Sequence, residues 1–175
     1  MAMVKKTPVG IENFRDIRKQ GFYYIDKTGL IEQVLLNWGK VNLFTRPRRF
    51  GKTLNMSMLK SFLRSARMHH CLTDYIFPKN KELCEEYMGK YPVICLTLKG
   101  VDGLCFEDAK YRLTELIGLE AERFDFLAQS ERLSENEIRR YKSIIALHNG
   151  MNTMDENQLI SSVHVLSQLL YKHFG

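Results

Sequence analysis

Arg46-Pro47-Arg48-Arg49-Phe50-Gly51-Lys52-Thr53 packs four cations, a glycine and a hydroxyl into eight residues. The spacing is that of a phosphate-binding loop, GxxxxGK[ST], with arginine in place of the first glycine. In such a loop Gly51 would let the backbone turn, so that its amides and those opening the next helix face an anion. Lys52 would reach the β- and γ-phosphates as a point charge, and Thr53 would offer its hydroxyl to a Mg²⁺ bridging the same phosphates. The candidate nucleotide-binding residues are therefore Arg48, Arg49, Phe50, Gly51, Lys52, Thr53 and Leu54. Arg46 is tolerable at its position only if the backbone there needs no positive φ, and Pro47 beside it favours an extended conformation. Two blander readings stand beside this one: a solvated basic turn between two elements, or a nucleic-acid contact through Arg48 and Arg49.

The flanking elements fit the first reading. Before the loop, "VNLF" (41–44) is short and apolar, as a buried strand would be. Behind it Leu54, Met58, Leu59, Phe62 and Leu63 mark one face of a helix. Upstream, Ile11, Phe14 and Ile17 predict a short amphipathic helix, and "GFYYID" a short extended piece. The helix "TGLIEQVLLNW" carries Ile31, Val34, Leu35 and Trp38 on one face, is capped by Asp26 or Thr28, and ends at Gly39. A helix is expected through "KELCEEYM". "YPVICLTL" (91–98) reads as a strand covered on both faces, as in a parallel sheet. Beyond Gly103 everything reads as helical: Phe106–Leu127, then capping boxes at "SENE" (134–137) and "TMDE" (153–156), then a helix with Leu159, Val163, Leu166 and Leu170 on one face.

The segments "PVGIENF", "GFYYIDKTGLI", "LFTRPRRFGKTLNMSML" and "YPVICLTLKG" resemble, in this order and at similar spacing, the bacterial AAA-ATPase-like proteins, which often precede a PD-(D/E)XK-type nuclease domain. The resemblance runs from about Thr7 onward and includes the arginine that replaces the first loop glycine. It implies an α/β fold: a P-loop NTPase-like (ASCE) partial parallel sheet flanked by helices, with a helical C-terminal half. It also implies ATP with Mg²⁺ as ligand. Gly51, Lys52 and Thr53 become the phosphate and metal residues, and Tyr24–Thr28 lies where related ATPases place the adenine end. Tyr24 and Asp26 are the weaker candidates there, since capping and packing explain "YIDKT" equally well. In the family a strand ending in acidic Walker B residues follows the helix that matches the last residues here. On that basis 1–175 is one domain, flexible over 1–6, that stops before this strand, and neither Asp102 nor Glu107-Asp108 replaces its acids. The expected function is ATP binding with weak or absent hydrolysis. The alternatives are a nucleic-acid or partner-binding fragment using the basic loop, and an inactive remnant. Loss of a central strand would leave an open sheet edge that favours self-association.

Composition constrains the rest. The chain has 175 residues, 45 % hydrophobic and 26 % charged, with a formal net charge of +6, which permits polyanionic partners. No apolar run reaches the roughly 18–20 residues of a membrane span, and "MAMVKKTPVG" lacks a signal-peptide core, so a cytoplasmic location is expected. Cys71, Cys84, Cys95 and Cys105 form no CxxC pair and read as free thiols. His69 and His70 beside Cys71 lack a second ligand cluster, and His148, His164 and His173 pair with no evident nucleophile.

Overall fold

Apolar spacing decides where the helices of this protein fall. Its computed structural model describes residues 5–37, 39–64 and 81–175. Two compact units divide the chain, Met1–Val93 and Ile94–Gly175. Residues 1–4 of the expected flexible start, Trp38, and the His69, His70 and Cys71 group lie outside the described residues.

The first unit holds α1 (Phe14–Lys19), α2 (Gly29–Leu36), α3 (Lys52–Arg64) and α4 (Lys81–Tyr87). Asn13 starts α1, its side chain accepting from the Arg15 N–H at 2.9 Å. Phe14, Ile31, Leu35, Met58, Phe62 and Met88 are buried together. This core joins the three longer-range elements of the motif region. Phe14 lies edge-on to Tyr24 at 5.2 Å, and its N–H donates to Ser57 Oγ of α3 at 3.1 Å.

The second unit is built from α5 (Phe106–Glu122), a 3₁₀ turn (Asp125–Gln129), α6 (Glu135–Ile144), a two-residue hairpin pairing β1 (Leu147–His148) with β2 (Met151–Asn152), and α7 (Glu156–Phe174). The Ser134–Glu137 capping box forms as expected. The second box lies two residues later than expected, on Asp155 and Gln158. Thr153 is held instead by the hairpin, donating through its N–H and its hydroxyl to the Ala146 carbonyl. On α7 the buried residues are Ser162, Leu166, Leu169 and Leu170, whereas Val163 is exposed. His173 donates or accepts at Ser130 Oγ (2.7 Å) and stacks among Phe126 and Phe174, a packing role.

The expected parallel sheet is not formed. Among the described residues the strands are the antiparallel pair β1–β2, and the architecture is mostly helical. Residues 41–47 and 92–98 have no ladder partner. Val41 and Leu43 are 87 % and 84 % exposed, so "VNLF" is not the buried strand its composition suggested. The second run keeps a strand-like alternation for a different reason. Ile94 and Leu96 pack against the helical core of their unit, and the Cys95 N–H between them donates to buried Glu120 Oε1 at 2.9 Å. A carboxylate on α5 thus satisfies a backbone donor that a neighbouring strand would otherwise take.

Two residues hold the second unit at measurable points. Tyr141 is fully buried on α6, and its hydroxyl donates to the Ala121 carbonyl at 3.0 Å. Burial, then the nearby Asp125 and Glu122 charges, push that hydroxyl up to about 12, so it stays a donor. Tyr141→Phe should cost about 1 kcal/mol in urea unfolding. Glu137 is held down to about 2 by Lys172 of α7 and by the Ser134 cap. Because the folded carboxyl titrates below its ordinary 4.5, its contribution is present above that value and lost as pH falls toward 2. Glu137→Gln should therefore flatten the melting-temperature profile across that window while leaving its slope above pH 6 unchanged.

Candidate functional site

The basic loop ends where α3 begins, and the backbone there is set by two left-handed residues. Gly51 has φ 74° and Arg49 has φ 65°. Arg46 is not among the positive-φ residues, so its side chain meets no backbone obstacle. The Gly51 carbonyl accepts from the Asn55 N–H at 2.9 Å, which starts the helix. The Lys52 ammonium donates back to the Arg46 carbonyl and to the Pro47 carbonyl, the latter at 3.1 Å. One side chain thereby closes the loop on itself.

The remaining expected residues divide by surroundings. Arg48, Arg49, Phe50, Lys52 and Thr53 are exposed, whereas Leu54 packs against the core of the unit. Thr53 lies in the first turn of α3, where backbone N–H groups and the helix dipole favour negative charge. Arg46 donates to the Thr45 carbonyl at 3.2 Å. Among the described residues no carboxylate pairs with Arg46, Arg48, Arg49 or Lys52. The second unit differs: Arg112 pairs with Asp102 at 3.1 Å, Lys172 with Glu137 at 2.8 Å and Lys110 with Glu156 at 3.4 Å.

Tyr24 and Asp26 have structural partners. The Tyr24 hydroxyl donates to Met58 Sδ at 3.2 Å. Asp26 Oδ1 accepts from the Thr28 N–H and the Thr28 hydroxyl, both at 2.8 Å, the side-chain turn expected before a helix. The residue of this segment that reaches the loop is Lys27, whose Nζ lies 3.8 Å from where a Cβ on Gly51 would sit. Spacing in the sequence gave no sign of this, because Lys27 and Gly51 are joined only through the packing of α1, α2 and α3.

Beside the loop is a cleft of about 430 Å³. Leu30, Leu43, Phe44 and Met56 make its apolar side, and Arg46, Lys52 and Asn55 its polar side; among the described residues no carboxylate lines it. Asn55 Oδ1 is buried without a hydrogen-bond partner among the described residues. Among the described residues no group of three or more His, Cys, Asp or Glu side chains could hold a metal, and Cys84, Cys95 and Cys105 are in no disulfide. No helix among these residues is long and apolar enough to cross a membrane.

Comparison with known proteins bears on the same region. The profile of the AAA-ATPase_like family, described as "Predicted AAA-ATPase", matches residues 8–165. A 56-residue stretch is 46 % identical to an "Uncharacterized protein in vnfD 5'region" of Azotobacter chroococcum mcd 1, covering 31 % of this chain and 11 % of that protein. No solved structure matches.

The left-handed turn is the part of the site most open to direct test. Gly51→Ala should lose about 1–2 kcal/mol in urea unfolding, because an alanine at that φ is strained. Thr53→Ala, at an exposed position with ordinary backbone, should change stability by less than about 0.5 kcal/mol.

Proposed function

The chain belongs to the AAA-ATPase-like family, and from that premise we propose that its Arg46–Leu54 loop binds the phosphates of a nucleoside triphosphate, ATP, with Mg²⁺. The observation that carries this reading is a left-handed Gly51 whose face meets neither backbone nor apolar side chain among the described residues, set among cations that have no carboxylate partners there. An ammonium has three donors. Lys52 commits two of them to the Arg46 and Pro47 carbonyls, which fixes its position and leaves one for a phosphate oxygen. The guanidinium groups of Arg48 and Arg49, without a carboxylate partner among the described residues, would add planar, charge-assisted donors.

The residues present also suit the metal. Thr53 is exposed on the first turn of α3, so its hydroxyl is available to a Mg²⁺ that arrives with the nucleotide. Mg²⁺ keeps several waters and needs few protein ligands when phosphates supply the rest. When bound, it would neutralise charge between the β- and γ-phosphates.

Among the described residues the cleft beside the loop has no carboxylate, and positioning of metal and attacking water ordinarily relies on one. We therefore read the chain as a binding module with hydrolysis near background. Thermal unfolding with and without Mg²⁺-ATP, Mg²⁺-ADP and Mg²⁺-GTP tests this. At a concentration about a hundred times Kd, binding adds roughly 2.7 kcal/mol, about 5–10 °C for a chain of this size. Lys52→Ala should abolish the shift. No shift with any nucleotide would overturn the reading. Fast Mg²⁺-dependent hydrolysis lost in Lys52→Ala would overturn its second half.

A further inference from the structure

We infer that Lys27 is a second phosphate-binding cation of this loop, so that preference for a longer phosphate tail depends on it as well as on Lys52. This rests on the nucleotide-binding reading and extends it to a residue outside the loop. Apart from chain neighbours, the Lys27 ammonium is the only heavy atom within 4 Å of the Cβ position at Gly51 among the described residues. The bare face of the left-handed glycine is thus covered by a charge rather than by backbone or apolar side chain. An anion seated at the Gly51 turn would come within reach of the Lys27 ammonium as well as that of Lys52.

The backbone that delivers Lys27 is firmly placed. Asp26 clamps the Thr28 N–H and hydroxyl, Thr28 is fully buried, and the Lys27 carbonyl accepts from the Leu30 N–H at 3.0 Å. Only the four-carbon side chain is left to move, and among the described residues no carboxylate pairs with its ammonium. Placing another cation beside Lys52 and the loop arginines raises their mutual repulsion in the absence of an anion. A lysine kept for folding would be expected to have a partner. A lysine kept for an anion gains one on binding, and the Asp26 turn then serves to aim it. This also gives "YIDKT" a role at the site without requiring that Tyr24 or Asp26 touch the ligand.

Isothermal titration of the full 175-residue chain with ATP, ADP, AMP and inorganic triphosphate tests the inference on wild type, Lys27→Gln, Lys27→Arg and Lys52→Ala. Lys27→Gln should weaken ATP and triphosphate about tenfold, the scale of one charge-assisted hydrogen bond. It should also weaken their salt dependence and leave AMP nearly unchanged. Lys27→Arg should retain most of the affinity. Without nucleotide, Lys27→Gln should melt at or slightly above the wild-type temperature, since it removes repulsion and no contact. If Lys27→Gln binds ATP like wild type while Lys52→Ala does not, the inference falls and the nucleotide reading stands. If wild type binds none of the four, both fall. A lowered melting temperature in Lys27→Gln that Lys27→Arg does not restore would mark a structural lysine and overturn the inference.

Discussion

The tie from the Lys52 ammonium to the carbonyls of Arg46 and Pro47 is the constraint on which the basic loop depends. Without it, residues 46–50 would be an exposed run of like charges shaped only by the local turn at 48–49. With it, the loop becomes a closed turn whose two ends are fixed, one by Lys52 itself and the other by the start of α3. The cost is a non-glycine residue, Arg49, in the left-handed region, a conformation that L residues adopt at an expense of about 1–2 kcal/mol. Strain of this kind persists only where surrounding structure enforces it. Here the enforcing structure is the Lys52 closure on one side and the Gly51–Asn55 helix start on the other.

The closure is held in place by packing at some distance from it. α3 is anchored by Met58 and Phe62 in the first core, and Phe14 and Ile31 bring α1 and α2 onto the same core. That arrangement carries the turn 26–28 to the loop, so the ammonium of Lys27 and the face of Gly51 meet although 24 positions separate them in the sequence. The electrostatic character of the region then follows from what the packing does not bring. Among the described residues no acid is delivered to the loop cations, whereas the second unit places an acid beside Lys110, Arg112, Arg123 and Lys172.

Helical periodicity was the legible part of the fold. Phe14 with Ile17, Ile31 with Leu35, and Met58 with Phe62 are spaced for one face and are buried on it. Capping chemistry was legible where one box was available, at Ser134–Glu137. It slipped at Thr153, because Asp155 and Gln158 offered a second box two residues on and the hairpin claimed the threonine. Strand identity was not legible. Short apolar runs such as "VNLF" and "YPVICLTL" satisfy the pattern of a buried strand, but a strand is defined by a neighbour, and pairing is a long-range fact that composition does not contain. At the candidate site the loop residues were named by spacing alone. Lys27 was not, since it matters through what lies across the fold from it.

The run 94–98 shows how an apolar alternation can serve a helical unit without a sheet. An extended chain still points alternate side chains to one side, so Ile94 and Leu96 bury against α5 and its neighbours as they would against a sheet-covering helix. What a helix surface cannot supply is a row of backbone acceptors, and each buried N–H must find one. Glu120 supplies the one that Cys95 needs, and Arg123 in turn pairs with the same carboxylate oxygen. A buried acid 25 positions downstream therefore fixes where the extended run lies. The charge that makes this acceptor effective is itself compensated by Arg123, the residue that ends α5. A residue that reads in sequence as an ordinary surface glutamate of a charged helix turns out to be the point at which the run is attached.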